Sequence, residues 1–435
     1  MDPRIKPSVY LTAGVPPVGG RIKERPEDFL VEEIPLYEPQ GSGEHLYMFV
    51  EKTNLSTTQM VSIIAHHFGV RPDAVGFAGM KDKRAVTRQL VSVHLPGRSR
   101  ESLPPLEQER LTVLWTDWHA NKLRPGHLAG NRFVIRIRGV DATGVVHAHR
   151  VLSRLEKTGV PNRAGEQRFG YMERNHEIGR ALILGDHRAA LDLLLGPGDL
   201  APPWQAEARR LYAERKYAEA RDLYPRTART ERRALSTLAR GEGPKRAIDD
   251  MDPLQRRYFI TSFQSAVFNA VLDERLTAGT LASLEEGDLA WKHDNGAVFS
   301  VTPEELEGER GVELRGRVER LEVSPSGPMW GADMTRAGGA VGERELAALA
   351  ATGVTPEMLD DYRRRTGDRL AAQGARKPLR VPLKHPDVEG GVDEHGHYIR
   401  CSFELPRGAF ATVVMREVMK PELAGSPPEP EDDDE

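Results

Sequence analysis

Apolar and polar residues alternate along several short stretches in the first third of the chain, which is the pattern of a half-buried β-strand. Residues 131–138 show it most clearly, because a period of two divides them into an apolar face and a basic face. The apolar face holds Asn131, Phe133, Ile135 and Ile137, and the other holds Arg132, Val134, Arg136 and Arg138. A buried amide needs hydrogen-bond partners, so packing explains Asn131 less well than it explains the two isoleucines.

The same period predicts other strands before and after this one. Residues 21–34 should be extended, with Phe29 and Val31 on one face and the acids Asp28 and Glu32 on the other. Further strands are predicted at residues 45–52, 75–78, 89–95, 110–115, 381–383 and 398–405. Phe403 lies on the apolar side of the last of these stretches, which makes core packing its simplest explanation.

Helical periods separate these strands in two places. A helix should begin at Ser56, which has the capping-box spacing with Gln59, and end at Gly69. His66 and His67 are adjacent and therefore diverge on its surface, so we interpret them as surface residues and not as a metal pair. A second helix is predicted over residues 141–157.

The middle of the chain differs in composition. From Tyr171 it is rich in Ala, Leu, Arg and Glu, with helical periods at residues 178–195, 206–223 and 253–276. Strand-like alternation returns only after Lys377. The pattern therefore predicts a discontinuous first domain of residues 1–161 and 379–420, an inserted second domain of residues 162–378, and a disordered acidic tail of residues 421–435.

Length and composition agree with two globular domains. The chain has 435 residues, 39% of them hydrophobic and 29% charged. Cys401 is its single cysteine, so an intramolecular disulfide and a cysteine-rich zinc site are both excluded. The first residues form no apolar signal segment and no run of 18 apolar residues occurs, so we expect a cytoplasmic protein.

Charge is distributed unevenly along the chain. The formal net charge is −4, but residues 421–435 carry seven acids and no bases, which leaves +3 for the rest. Residues 121–170 carry ten bases and three acids, a local charge of +7. Such a basic stretch is typical of a nucleic-acid-binding face, although solvated surface explains the charge equally well.

Candidate chemistry is concentrated in GFAGMKDKRAVTRQ, residues 76–89. Asp82 stands there between Lys81 and Lys83, with Arg84 and Arg88 following. A carboxylate among cations stays ionised and can act as a nucleophile, while the bases around it can hold phosphates. Taken alone, the Lys-Asp-Lys sequence is more typical of an exposed charged turn.

Five further stretches decide between these interpretations. They are KERPEDFLVEE (23–33), GHLAGNRFVIRIRG (126–139), GVPNRAGEQRFG (159–170), QSAVFN (264–269) and FELPRGAFATVVMRE (403–417). Together with residues 76–89 they resemble, in order, the motifs of the tRNA pseudouridine synthase D (TruD) family. The resemblance implies a mixed α/β (α+β) fold, with a largely antiparallel catalytic sheet, an inserted α/β TRUD domain and RNA lying in the cleft between them.

The resemblance also assigns roles to residues. It implies that Asp82 is the catalytic nucleophile, that Asn131 hydrogen-bonds near it and that Phe133 stacks on the uracil. Phe29 and Phe403 match substrate-contacting rings of the family, with core packing as the alternative for both, and Lys23 matches a basic residue of the substrate-binding motif.

The other matched positions indicate less about the function of individual residues. The family commonly has an aromatic pair where this chain has Arg163 and Ala164, so stacking by such a pair is not carried over. For Gln264 and Asn269 helix packing is the better explanation. PSGPMWG, residues 325–331, is expected in a loop of the inserted domain.

Isomerising uridine needs no cofactor, and the chain has no Walker loop, no GxGxxG fingerprint and no HExxH motif. The DEHGH sequence at residues 393–397 could ligate a metal but is better explained as a hairpin turn, so no metal is expected. The implied partner is tRNA, modified at uridine 13, and we expect a monomer. The KDKRAVT form resembles the archaeal and eukaryotic branch of the family.

The reaction would start with Asp82 attacking the ribose C1′ or with elimination to a glycal, after which the detached uracil turns and bonds through C5. Two other classes of function stay open. One is a non-catalytic RNA-binding protein or tRNA chaperone of the same fold. The other is an RNA methyltransferase, which the missing glycine fingerprint disfavours.

Overall fold

The computed structural model describes residues 9–98, 103–141, 143–367 and 373–421. The predicted acidic tail lies outside these residues, apart from Pro421. The described residues form two compact units, one of residues 9–11 and 161–380 and the other of residues 12–160 and 381–421. Residues 9–11 thus group with the middle of the chain and not with the first segment.

Strands occur throughout both units. They are β1 (Phe29–Pro35), β2 (His45–Thr53), β3 (Val75–Phe77), β4 (Val86–His94), β5 (Leu111–His119), β6 (Leu128–Arg138), β7 (Val160–Pro161), β8 (Leu289–Lys292), β9 (Val298–Ser300), β10 (Val323–Met329), β11 (Ala375–Pro378), β12 (Arg380–Val381), β13 (Lys384–Asp393) and β14 (Gly396–Pro406).

The helices lie mostly in the middle of the chain. They are α1 (Thr57–Phe68), α2 (Gly144–Thr158), α3 (Asn175–Leu184), α4 (His187–Leu195), α5 (Ala206–Ala213), α6 (Tyr217–Leu223), α7 (Arg229–Ala239), α8 (Pro244–Asp249), α9 (Pro253–Ala278), α10 (Pro303–Leu306), α11 (Gly308–Glu319), α12 (Gly339–Ala350), α13 (Pro356–Thr366) and α14 (Ala411–Met419). No helix among the described residues is long and apolar enough to cross a membrane.

An eight-stranded sheet organises the unit of residues 12–160 and 381–421. Its order is β13-β14-β6-β1-β4-β2-β5, with β3 paired to β4. β1 and β4 run parallel, and the other neighbours are antiparallel. The predicted mixed, largely antiparallel sheet is confirmed. β6 begins at Leu128, earlier than the alternation indicated, because Leu128 and Gly130 still pair with β1.

Helix α1 has the predicted ends. The Ser56 side chain accepts from the Gln59 N–H, the Gln59 side chain accepts from the Ser56 N–H, and Gly69 ends the helix in the left-handed conformation at φ 66°. Met60, Ile64 and Phe68 are buried against the apolar residues of β2 and β4. Packing of this face holds the helix over the sheet region next to the Asp82 loop.

Two corrections concern the segment before β1. Residues 21–28 are not a continuous strand, because Lys23 has a left-handed backbone at φ 57° and Pro26–Asp28 form a single 3-10 turn. Asp28 was expected on a polar face but is buried, since its carboxylate accepts from Arg138 at 2.7 Å and 3.0 Å. Extended backbone begins only at Phe29.

The other unit is helical with a small four-stranded sheet in the order β11-β10-β8-β9, as the predicted inserted α/β domain requires. Two predicted helices are each broken into two. Gly185 ends α3 at φ 75° and Asp186 caps α4, while Arg215 takes φ 62° between α5 and α6. A single left-handed residue ends a helix but leaves the apolar spacing on both sides unchanged. The helical period in the sequence therefore could not reveal these two breaks.

The prediction of a loop at PSGPMWG was wrong for its first five residues. Pro325 to Met329 belong to β10, which pairs with β8 through residues 323–325 and with β11 through residues 326–329.

Candidate active site

Asp82 lies in the loop between β3 and β4, as predicted, and the backbone of this loop is held from two sides. The fully buried ammonium of Lys52 donates to the backbone carbonyl of Asp82 at 2.9 Å and also to the carbonyl of Leu55. The hydroxyl of Thr57, at the start of α1, accepts from the Lys81 N–H at 3.0 Å. A strand and a helix therefore fix the backbone on which the carboxylate stands.

The Asp82 carboxylate is open to solvent on one side and paired on the other. Its side chain is 44% exposed, and Oδ2 lies 3.0 Å from Nζ of Lys23, which is 20% exposed. The same Nζ lies 4.5 Å from the centre of the Phe29 ring. Lys23 thus contacts both the carboxylate and an aromatic ring. Its left-handed backbone directs the ammonium toward Asp82, whereas a residue with extended strand backbone would direct it elsewhere.

Three phenylalanines form a row beside this pair. Phe133 packs edge-on against Phe29 with centroids 6.5 Å apart and tilted against Phe403 at 5.7 Å. Phe133 and Phe403 are directly opposite in the β6 and β14 register. All three rings are at most 6% exposed. The structure therefore brings the predicted rings together, in an arrangement that fits both a stacking platform and a packed core.

The amide of Asn131 has the partner that its place on the apolar face requires. Nζ of Lys81 lies 2.6 Å from Oδ1 of Asn131 and 3.1 Å from Oε2 of Glu33. The side chain of Lys81 is 5% exposed and that of Glu33 is fully buried. Burial raises the pKa of Glu33, and this effect outweighs the lowering by Lys81. The three side chains cross-link the loop to β1 and β6.

Glu33 and Lys52 were missed in the sequence, although a signal was present. Period two places Glu33 on the face of Phe29 and Val31, and Lys52 on the face of Met48 and Val50. A charged residue at an apolar-face position needs a buried partner. That rule would have singled out both residues.

Not all the bases near Asp82 are available for phosphates. Arg88 projects from the other face of the sheet, where it pairs with Glu51 at 2.8 Å and with Glu32 at 3.0 Å. Arg132 continues this row of alternating charges, with Glu404 at 2.7 Å. Arg88 and the buried Lys81 are thus structural, and the expectation that they would hold phosphates was wrong. Lys83 is exposed and Arg84 is half-buried.

The basic stretch of residues 121–170 is also less basic in space than in sequence. In the part of the chain that the structure describes, at least four of its ten bases are ion-paired with acids from other segments. These are Arg132 with Glu404, Arg136 and Arg138 with Asp393, and Arg163 with Asp273. The charge of a segment therefore overstates the charge of the surface that it forms.

Motif residues of the other unit have structural roles, as predicted. The buried amide of Asn269 accepts from the Ala164 N–H at 2.9 Å and donates to the Ala164 carbonyl at 3.1 Å. Gln264 donates to the Trp330 carbonyl at 2.7 Å. Arg163 forms a buried ion pair with Asp273. These side chains satisfy buried polar groups within one unit.

The DEHGH sequence forms the turn of the β13–β14 hairpin, as predicted, with Asp393 paired to Gly396. The Asp393 carboxylate accepts from the guanidinium of Arg138 and from the His395 N–H, and Arg138 holds its pKa well below the ordinary range. Among the residues with described positions, no cluster of His, Cys, Asp and Glu could hold a metal ion.

Comparisons with known proteins cover nearly the whole chain. A family model described as tRNA pseudouridine synthase D (TruD) matches residues 7–418. Proteins named tRNA pseudouridine synthase D from Geobacter metallireducens and Geobacter sulfurreducens are each 42% identical over 416 residues, which are 94% and 95% of this chain and 97% of each relative. A solved Methanosarcina mazei structure bearing the TruD name superposes with a TM-score of 0.82 at 25% identity, covering 97% of this chain and 98% of that one.

Proposed function

The chain belongs to the tRNA pseudouridine synthase D (TruD) family, and from this premise we propose that Asp82 carries out the isomerisation of uridine 13 of tRNA. As a member of that family the protein is an isomerase that converts uridine to pseudouridine in tRNA. The site residues and the position of the target uridine are the parts that we propose for this chain.

The observation that carries the proposal is the environment of Asp82. Its carboxylate is accessible, faces one ammonium at 3.0 Å and stands on a backbone held by Lys52 and Thr57. A nucleophile needs an ionised, accessible oxygen and a fixed position. A charged surface turn needs neither the buried Lys52 nor the cross-link from Lys81 to Asn131.

The target uridine must leave the RNA stack before it can reach such a carboxylate, at a cost of about a few kcal/mol. Stacking on an aromatic ring offsets about 1–3 kcal/mol of that cost. We assign this role to Phe133, at the centre of the row formed with Phe29 and Phe403. Lys23 orients the attacking carboxylate through its hydrogen bond to Oδ2 of Asp82.

The reaction then proceeds by one of two routes that both begin at Asp82. The carboxylate either bonds to the ribose C1′ with loss of uracil, or removes the C2′ proton as the C1′–N1 bond breaks and uracil leaves, which gives a glycal. The uracil stays between Phe133 and Asn131 and turns until C5 faces the sugar. A carbon–carbon glycosidic bond then forms between C5 and C1′, either as the C1′–oxygen bond to Asp82 breaks or as Asp82 returns the proton to C2′ of the glycal. The C5 proton leaves and N1 of the uracil takes up a proton, so no cofactor enters the balance.

Several broader assignments accompany this proposal. We assign catalysis to the unit of residues 12–160 and 381–421, which contains every proposed site residue, and we place the enzyme in the cytoplasm as a monomer that binds tRNA.

The similarity of KDKRAVT to the archaeal and eukaryotic branch is not confirmed, since the Geobacter relatives are bacterial. A tRNA chaperone of the same fold is disfavoured by the intact arrangement of Asp82, Lys23 and Asn131.

Carbodiimide mapping of a tRNA transcript tests the function directly, because it stops reverse transcription at pseudouridine. The purified enzyme should produce a new stop at position 13 and none in a transcript with cytidine at that position. A stop at another uridine alone would contradict the assigned position. Binding of both transcripts with no stop in either would favour the chaperone.

A further inference from the structure

Five arginines line one depression at the surface of the helical unit. They are Arg226, Arg229, Arg232, Arg233 and Arg240, and we refer to them as the α7 arginine patch. The depression has a volume of about 490 Å³ and is also lined by Ser236, Thr237 and Asp250. No proposed residue of the uridine site belongs to it.

The patch carries an excess of positive charge that nearby acids do not neutralise. Asp250 is the one carboxylate among the described residues that line the depression, and it already contacts Arg240 at 3.4 Å, Arg246 at 3.1 Å and the Thr237 hydroxyl at 2.8 Å. Arg226, Arg229 and Arg233 are exposed, and none has an ion pair with an acid in the part of the chain that the structure describes. Like charges this close repel one another unless an anion lies between them.

Helix α7 fixes the backbone of Arg229, Arg232 and Arg233, and Arg240 directly follows the helix. Ala234, Leu235 and Leu238 on its other side are at most 5% exposed and belong to the core of the unit. Arg229, Arg233 and Arg240 follow helical spacing along the outer side. Arg232 donates to the backbone carbonyls of Arg221 at 2.8 Å and Tyr224 at 2.7 Å, which fixes its guanidinium.

The chemistry of the lining indicates the ligand. Guanidinium groups bind phosphate oxygens in pairs of hydrogen bonds, and a row of them matches a chain of phosphates. Within the described structure the lining contains no aromatic or aliphatic side chain on which a base could stack. The depression is therefore suited to a phosphate backbone and unsuited to a free nucleotide, whose base would stay in solvent.

We propose that the α7 arginine patch binds the phosphodiester backbone of the tRNA substrate. This inference rests on the proposed function. Phosphate contacts fix the register of a nucleic acid without reading its sequence. The patch therefore acts in affinity and positioning, and the chemical step at Asp82 does not depend on it.

The test replaces Arg226, Arg229 and Arg233 together by glutamine. The matched control replaces Arg310, Arg317 and Arg320, which lie on or just after α11 of the same unit, where Arg317 and Arg320 already pair with Glu322. Both triple variants lose three positive charges. Circular dichroism melting checks that each is folded, and a triple lysine variant of the patch keeps the charge.

We expect the patch variant to bind tRNA at least about tenfold more weakly at low salt. The slope of log Kd against log salt should fall by about one for each phosphate that the variant no longer binds. The single-turnover rate at saturating tRNA should stay within about twofold of the wild type, since the binding energy removed is the same in the ground state and the transition state. The control should keep the wild-type slope, and the lysine variant should recover most of the affinity.

Two results would overturn the inference. One is equal weakening of tRNA binding in the patch and control variants, which would reduce the effect to net charge. The other is unchanged tRNA binding with loss of inorganic tripolyphosphate binding, which would assign the patch to a small anion. Absence of pseudouridine in wild-type reactions would instead count against the proposed function, and the binding measurements would still decide the role of the patch.

Discussion

The ammonium of Lys81 donates to the amide oxygen of Asn131 at 2.6 Å, and it thereby ties the residue before Asp82 to strand β6. The same ammonium pairs with Glu33 on β1. The loop between β3 and β4 is therefore joined to the two strands that carry Phe29 and Phe133. The position of the nucleophile and the position of the rings depend on one another through this buried lysine.

Asp82→Asn should abolish pseudouridine formation while tRNA affinity stays within a few fold. An amide has nearly the size of a carboxylate but is not an effective nucleophile, and phosphate contacts supply most of the affinity. Carbodiimide mapping and filter binding measure the two properties. Asp73→Asn is the matched control, because Asp73 is an exposed acid paired with Arg71 shortly before β3. Normal turnover in Asp82→Asn would show that Asp82 is not the catalytic nucleophile.

Phe133→Leu separates stacking from packing. Leucine keeps much of the buried volume, so the free energy of unfolding should fall by only about 1 kcal/mol. Loss of a stacking ring should lower turnover by about 10- to 100-fold. Phe68→Leu, at the buried end of α1, is the control and should lower stability without changing turnover. A Phe133 variant with normal kinetics and a lower Tm would show that the ring packs in the core and does not stack on uracil.

Lys23→Gln should lower kcat more than it changes KM. The variant loses the charged hydrogen bond to Asp82 and the cation–π interaction with the Phe29 ring. A charge-assisted bond of about 1.5–3 kcal/mol corresponds to a loss of about 10- to 100-fold. Lys23→Arg keeps the charge and should retain more activity than the glutamine variant. A change confined to KM would make Lys23 a phosphate contact instead.

Lys81→Met should destabilise the protein, because the buried Glu33 then has no counter-charge and must take up a proton or stay ionised at a cost of about 3–5 kcal/mol. Adding Glu33→Gln should recover most of this stability, but turnover should stay low since Asn131 has still lost its donor. Urea unfolding and single-turnover kinetics measure the two effects. Recovery of both in the double variant would show that Lys81 only neutralises Glu33.

His293 should make stability depend on pH in the helical unit. Burial and the nearby Arg380 lower the pKa of His293 to about 4, whereas the unfolded chain has an ordinary histidine. Protons therefore bind the unfolded state first, so this contribution is complete above about pH 6.5 and is lost as the pH falls to about 4.

The structure gives a reason for the neutral ring. Ser324 Oγ accepts from Arg380 at 3.1 Å and lies 2.8 Å from Nε2 of His293, so its hydrogen can be donated to an unprotonated ring nitrogen. Urea unfolding of wild type and His293→Gln at several pH values checks the prediction. The variant should lose less stability between about pH 6.5 and 4.5. Parallel pH curves for both proteins would contradict it.

The sequence alone determined what depends on local pattern and on motif order. The helix from Ser56 to Gly69, the loop between two strands that carries Asp82 and the apolar face of Asn131 and Phe133 all follow from short-range chemistry, because caps and alternation act within a few residues. The family also followed from the order of six motifs. Breaks at Gly185 and Arg215 did not, since a left-handed residue leaves the helical period on either side unchanged.

Only the tertiary structure decided which charges act and which are neutralised. Lys81, Arg88 and Arg138 are alike in the sequence as bases near a candidate site, yet each is paired with acids brought from other strands or from the distant hairpin. The patch on α7 keeps its charge because, in the described structure, Arg226 and Arg229 have no ion pair with an acid and Arg233 interacts only at longer range with Asp250, which Arg240 and Arg246 share. Ion pairing acts through space over a few ångströms, and the position of a residue along the chain does not reveal its neighbours across a sheet.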